Sequence, residues 1–200
     1  MSIFLIRHGE TDCNAARIVQ LPEVPLSARG VTQAGRLAHR LAALGVGAII
    51  SSDLRRALMT AEHVRAATGA PIALDEGLQE RNFGDLRGQA YADLKIDLFA
   101  PEYEPPGGEL WERFHARVDA VWPRIVAAAA ATSGNLAVVT HGLVCYSLAL
   151  RHLRLPADED PVARWHNASV TIVDGEAPWS VRLLNCAAHL ENDGPAGGAV

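Results

Sequence analysis

The chain has 200 residues, 49% of them hydrophobic and 20% charged. That suits one globular domain with a sizeable core, since chains of this length bury roughly 70% of the surface they expose when unfolded. A formal charge of −5 and a pI near 5.9 argue against a general nucleic-acid or membrane-surface binder, which would carry a basic excess. Lys95 is the only lysine, so nearly all positive charge sits on planar guanidinium groups suited to bidentate contacts with oxyanions. Cys13, Cys145 and Cys186 form no CxxC pair, as expected in a reducing compartment. The opening MSIFLIRHGE lacks a signal-peptide pattern, and no apolar run approaches the ~20 residues that span a bilayer. The expectation is a cytoplasmic protein without nucleic-acid or membrane partners; oligomeric state is not readable from the pattern.

In chain order, short β-branched or aliphatic runs predict strands at Ile3–Ile6, Ala48–Ser51, Ile72–Leu74, Leu136–Thr140, Ser169–Val173 and Val181–Leu184. Helical spacing falls between the first five, over Thr32–Leu44, Asp53–Thr68, Leu110–Ala131 and Leu143–Leu153. Alternating strands and helices predict an α/β fold, a three-layer αβα sandwich with a mainly parallel central sheet. Ser52 or Asp53 is placed to cap the second helix, Gly45 and Gly69 to stop the first two, and Pro123 to kink or interrupt the third. Residues 1–190 read as one domain, and the glycine-rich 191–200 as a flexible tail.

Sites in open α/β sheets form beyond the carboxyl ends of the strands. His8 follows the first strand, and His141 follows LAVVT. If those strands are neighbours, two histidines from distant parts of the chain meet at one crevice. Arg56 lies in the first turn of a helix leaving a strand, where backbone N–H groups favour an anion. With Arg7, and with Glu80 after the third strand, this set suits a phosphate ester. A neutral His8 can attack phosphorus, Arg7, Arg56 and His141 can stabilise the transferring oxygens, and Glu80 can protonate the leaving alkoxide and then activate water. Gly9 is expected to leave room for the phosphoryl group. Taken singly, His8 is a polar strand end, Arg56 a solvated helix residue and His141 a cap; each gains from sharing one predicted sheet edge. His39, His63, His115, His152, His166 and His189 lack metal-ligand spacing and read as surface or packing residues, so no metal or other cofactor is expected.

RHGET, SSDLRRA, LQERNFGDLRG, PPGGE and VVTHGL, followed by NASVTIVD and LLNCAAHL, resemble the ordered motifs of the histidine phosphatase superfamily, in its phosphoglycerate mutase-like branch, over residues 2–190. The resemblance implies His8 as nucleophile, Glu80 as acid and base, and Arg7, Arg56 and His141 as the phosphate pocket, with Asn14, Gln20 and Gly142 as further substrate contacts. Gly142, where the acid phosphatase branch has aspartate, makes Glu80 the better acid, with Asp85 and Glu76 on the same connection. The chain departs from the pattern at Cys13 (usually aromatic), Leu21 (usually glycine), Leu110 (usually serine) and Arg87 (usually acidic or amide).

The resemblance implies a metal-independent phosphomonoesterase acting on a small phosphorylated metabolite. Phosphoglycerate mutase-type transfer and α-ribazole phosphatase activity are the alternatives, and a pseudoenzyme is disfavoured because nucleophile, pocket arginines and acid are all present. Only 26 residues separate Glu80 from Gly107, a shorter cover than that of the cofactor-dependent mutases, which favours hydrolysis. Arg81 and Arg87 read equally well as reaching a second anionic group and as a solvated helix or loop face, since nothing in the sequence fixes their direction.

Overall fold

The computed structural model describes residues 1–157, 165–174 and 177–193. Its elements are β1 (Ser2–Arg7), α1 (Asp12–Ala16), α2 (Ala28–Ala42), β2 (Val46–Ser51), α3 (Arg55–Thr68), β3 (Ile72–Leu74), α4 (Trp111–Ala131), β4 (Asn135–Thr140), α5 (Gly142–His152), β5 (Leu153–Arg154), β6 (Val170–Asp174) and β7 (Trp179–Cys186). The strands form one seven-stranded sheet in the order β3-β2-β4-β1-β6-β7-β5. β3, β2, β4 and β1 run parallel, while β6 lies antiparallel to β1 and to β7.

Strand alternation builds the layers. Ile3 and Leu5 point to one face, where α4 and α5 cover them with Phe114, Val118, Val121, Val144 and Leu148. Phe4 and Ile6 point to the other, against Leu37 and Leu41 of α2 and Ala57, Ala61 and Val64 of α3. Both faces are therefore buried, which explains why β1 and β4 read as continuous apolar runs rather than alternating ones.

Helix α2 opens at Ala28 rather than at the expected Thr32, because Ser27 caps it by accepting from the Gly30 N–H at 3.0 Å. Helix α3 has Leu54 at its N-cap with no side-chain cap bond. Ser52 and Asp53, the expected caps, are engaged with His141 and Gln79 instead. Pro123 does not interrupt α4, which is assigned as one helix of 21 residues. Proline in a helix interior costs roughly 3 kcal/mol, whereas burying each large apolar side chain returns about 1.5–3 kcal/mol. Phe114, Val118, Val121, Trp122 and Ile125 all lie on the buried stripe, so packing wins. Of the expected tail, residues 194–200 lie outside the described residues, and residues 191–193 close the short 3-10 turn Ala188–Asp193.

Register sets the site. Arg7 pairs with Thr140 and Ser51 with Val139, so His8, His141 and Ser52 step off three adjacent parallel strands in one row. Antiparallel β6 starts at that same edge, Val170 facing Ile6, and delivers Asn167 to it.

Gly9 has a different reason from the expected one. A Cβ there would lie 2.6 Å from the Gly30 carbonyl oxygen, and a Cβ on Gly30 would lie 1.9 Å from that of Glu10. The two glycines thus let the first turn of α2 close onto the loop after β1, and the room Gly9 leaves is taken by α2. Because backbone meets backbone, neither side can yield cheaply. Gly30→Ala is expected to cost about 2–4 kcal/mol, read as a lower urea midpoint at unchanged m-value.

Candidate active site

Arg7, His8, Arg56 and His141 are buried to within 2% of full enclosure and come together at the carboxyl edge of the sheet. The His8 and His141 rings lie 5.1 Å apart, centroid to centroid. His8 Nδ1 sits 2.7 Å from the Gly9 carbonyl oxygen. A carbonyl only accepts, so Nδ1 carries the proton and Nε2 is left with its lone pair. Arg56 Nε donates to that lone pair at 3.3 Å. Burial, then the positive charges of Arg56 and Arg7, hold the His8 pKa well below its ordinary value, outweighing the bond to Gly9.

His141 is also kept well below its ordinary pKa, by burial first and then by Arg56, His8 and Arg7. Its Nε2 is 2.9 Å from Ser52 Oγ, which already accepts from the Leu54 N–H at 3.3 Å. The Ser52 hydroxyl proton is available to His141 Nε2, and in the tautomer that accepts it His141 Nδ1 is an N–H donor. Nδ1 is buried and has no hydrogen-bond partner among the described residues. Helix α5 begins directly after His141, and Gly142 at its first position has no intrahelical acceptor for its N–H.

Above these groups an open pocket of about 420 Å³ is lined by Gln20, Pro22, Leu54, Arg56, Glu80, Arg81, Phe83, Arg87 and Tyr91. Neither His8 nor His141 is among its lining residues; His8 meets the pocket through Arg56. Arg56 both lines the pocket and occupies His8 Nε2, so an incoming anion must draw its guanidinium away from the imidazole. Burial lowers the Arg56 pKa to about 10, Glu80 opposing and Arg7 and Arg87 adding to the fall.

Glu80 faces the pocket from the other side. Its Oε1 accepts from the Arg81 N–H at 3.0 Å and its Oε2 from the Leu143 N–H, in the first turn of α5, at 3.2 Å. Burial raises its pKa, against those two bonds and the charges of Arg56 and Arg7. The backbone on both sides is clamped: Arg117 donates to the Gly77 and Gln79 carbonyls at 2.8 and 2.9 Å and pairs with Glu109, which accepts from the Asn82 N–H. Glu109, the last residue of PPGGE, thus supports the segment that carries Glu80.

Asn14 belongs to α1, which no sequence signal marked. Thr11 and Asn14 form a capping box, and Asn14 Oδ1 accepts from Thr11 and from Asn167 Nδ2. That leaves the Asn14 amide N–H groups as its free donors. Gln20 reaches the pocket with its Oε1 held by the Thr11 hydroxyl at 2.8 Å. At Leu21 the backbone carbonyl accepts from Arg56 Nη1 at 3.2 Å, so the residue standing where the family has glycine anchors the arginine.

Arg81 and Arg87 part company. Arg81 is buried against the Trp111 ring and donates to the carbonyls of Glu109, Leu98 and Tyr103, so its side chain fastens the 98–109 connection. Sequence reasoning missed Ser52, Asn167 and Tyr91 as site neighbours. Asn167 fixes the loop after β1 by donating to the His8 carbonyl at 3.1 Å, and Tyr91, its pKa pushed up to about 12 mainly by burial, lines the pocket. NASVTIVD held the signal for Asn167, but its place required knowing that β6 joins β1 antiparallel.

Among the described residues no three histidine, cysteine or acidic side chains are gathered as a metal site, and no helix is long and apolar enough to cross a membrane. The family model of the histidine phosphatase superfamily (branch 1) matches residues 3–186. The probable phosphoglycerate mutase GpmB of Salmonella paratyphi B is 31% identical over 98% of this chain and 97% of its own. A mycobacterial glucosyl-3-phosphoglycerate phosphatase solved in complex with VO3 matches at 29% identity and TM-score 0.80, over 92% of this chain and 99% of that one. A putative alpha-ribazole-5'-P phosphatase from Escherichia coli matches at 28% identity and TM-score 0.82, over 94% and 97%. The chain is a member of the histidine phosphatase superfamily, branch 1.

Proposed function

We propose that the protein hydrolyses a small phosphate monoester through a phosphohistidine on His8. The carrying observation is the orientation of His8, whose Nδ1 is tied to the Gly9 carbonyl so that an unprotonated Nε2 faces two arginines. The ester phosphate enters beside Arg56, which exchanges its bond to His8 for bonds to the phosphate oxygens. Arg7, Asn14, His141 Nδ1–H and the Gly142 N–H complete the charge and hydrogen-bond cradle. Nε2 attacks phosphorus, the N–P bond forms, the P–O ester bond breaks, and Glu80 gives its proton to the departing alkoxide. Water then attacks phosphorus, Glu80 takes its proton, and the N–P bond breaks to release phosphate. That the mycobacterial relative forms a complex with VO3, an oxyanion, agrees with this reading.

Every step of the proposed mechanism is assigned to a side chain, and none uses a metal. A mutase is the second reading, favoured by the name of the Salmonella relative. The short connection between Glu80 and Gly107 argues for hydrolysis instead, since it leaves the pocket open to water. The experiment is an ester panel assayed with chelator present. Phosphate release from several esters is expected. Release abolished by the chelator would sink the metal-free mechanism, and conversion of 3-phosphoglycerate to its isomer with little phosphate released would establish the mutase.

A further inference from the structure

Gln33 is buried on α2, three residues after Gly30, where the helix closes onto the loop after β1. Its side-chain amide oxygen accepts from the Glu10 N–H at 2.8 Å. A backbone N–H only donates, so the oxygen of that amide, not its nitrogen, faces Glu10. The Glu10 N–H and the Gly9 carbonyl are the two ends of one peptide unit, and it is the Gly9 carbonyl that takes the His8 Nδ1 proton at 2.7 Å. Gln33 is thus joined to the imidazole through a single rigid plane.

The rest of the loop is fastened without touching that plane. The His8 N–H donates to Thr140 at 2.9 Å, and the His8 carbonyl accepts from the Ala168 N–H and from Asn167 Nδ2. The Gly9 N–H donates to Thr60 Oγ1 at 3.1 Å, and the Glu10 carbonyl oxygen accepts from the Ser27 N–H at 2.9 Å. Of the side chains that grip residues 8–10 through their N–H groups, Thr60 holds the peptide before Gly9 and Gln33 the one after it, the one that orients the ring.

Holding that peptide acts on His8 in two ways. A buried N–H without an acceptor is costly, so once the Gln33 oxygen is removed the peptide turns to find another, and its carbonyl leaves Nδ1. Nothing then keeps the proton on Nδ1, and Nε2 loses its standing lone pair. The second effect is electronic. Hydrogen bonds in a chain polarise one another, so the bond to Gln33 makes the Gly9 oxygen a stronger acceptor. That counts most as Nε2 bonds to phosphorus, when the ring turns cationic close to Arg7 and Arg56 and Nδ1–H draws on its acceptor.

We infer that Gln33 is a positioning residue for phosphoryl transfer: by holding the Glu10 N–H it fixes the Gly9 carbonyl, which keeps the proton on His8 Nδ1 and the lone pair on Nε2. The inference rests on the phosphatase reading above and deepens it. It also gives a functional reason for the close approach of Gly9 and Gly30, which brings α2 near enough for Gln33 to reach the loop.

The test compares Gln33→Met, which keeps the length and removes the acceptor, with Gln33→Glu, which keeps an oxygen in the same place. Thr60→Val removes the acceptor from the neighbouring peptide, so it reports what loosening the loop does by itself. In the resting protein the buried His8 Nδ1–H is read by nitrogen–proton correlation NMR and assigned by its loss in His8→Ala. Gln33→Met is expected to move that proton upfield or transfer it to Nε2, while Gln33→Glu keeps the wild-type signal or moves it downfield. Formation of labelled phosphohistidine should slow by about 10-fold in Gln33→Met, for alkyl and aryl esters alike because Nε2 attacks both, and recover to within about 3-fold of wild type in Gln33→Glu. Affinity for inorganic phosphate should stay within about 2-fold, since the cradle is untouched. An unmoved signal in Gln33→Met, or one moved as far by Thr60→Val, overturns the inference. So does an upfield signal in Gln33→Glu, which decides the matter alone if Gln33→Met does not fold. The spectra need no turnover, so a protein that showed them yet took up no label from any ester would sink the phosphatase reading and leave the tie between Gln33 and His8 standing.

Discussion

Replacing His8 with alanine is expected to lower turnover of every phosphate ester by about 10⁴-fold or more and to abolish phosphoryl labelling of the protein. The size follows from the absence of a substitute. His141, the other imidazole in the site, has its Nε2 engaged with Ser52 Oγ at 2.9 Å. Arg7 and Arg56 carry no lone pair to attack with, and Glu80 is held by two backbone N–H groups. The variant keeps the phosphate cradle, so it should still bind inorganic phosphate, which separates loss of chemistry from loss of the site. The label is trapped by alkaline quench, where the N–P bond survives. A variant that kept a tenth of the activity, or a wild type that took up no label during turnover, would remove the covalent intermediate from the mechanism.

The pH dependence of that nucleophile has a worked sign. The His8 pKa lies well below its ordinary value, so the imidazole is already unprotonated at mildly acidic pH. Activity should therefore not fall away near pH 6.5 on its account, and any acid limb there belongs to the substrate phosphate, whose second pKa is about 6.

Much of this arrangement was legible in the sequence because it depends on strand ends. The runs ending at Arg7 and Thr140 were visible as strands, and parallel neighbours put whatever follows them on one edge. The sandwich followed from alternating strands and helices in the same way. What stayed hidden depends on contacts between distant segments. Arg81 and Arg87 look equivalent in ERNFGDLRG, and they are told apart only by the carbonyls of Leu98, Tyr103 and Glu109, which surround Arg81 once the connection folds. Ser52 reads as a helix cap until β2 and β4 are seen side by side; its hydroxyl then reaches His141. Gly9 invites a ligand explanation from its place beside His8, while its reason is the backbone of Gly30, whose position depends on how α2 packs.

Glu80→Gln separates the two proton transfers. With an alkyl ester the leaving alkoxide needs a proton as the P–O bond breaks, and loss of the acid should lower kcat/KM by about 10²–10⁴-fold. An aryl phosphate with an acidic phenol leaves without that help, so its kcat/KM should change little. Its second step still needs Glu80 to take the proton from water, so labelled phosphohistidine should accumulate in the variant, where the wild type clears it. The wild-type profile for alkyl esters carries a further sign. Burial raises the Glu80 pKa, so the acid form persists to higher pH than for an exposed glutamate, and kcat/KM should decline as pH rises through the raised value. In the variant that alkaline limb should vanish, because glutamine does not titrate. Equal losses for alkyl and aryl esters, or an unchanged limb in Glu80→Gln, would assign the proton to another group and leave Glu80 a part of the scaffold that holds the first turn of α5.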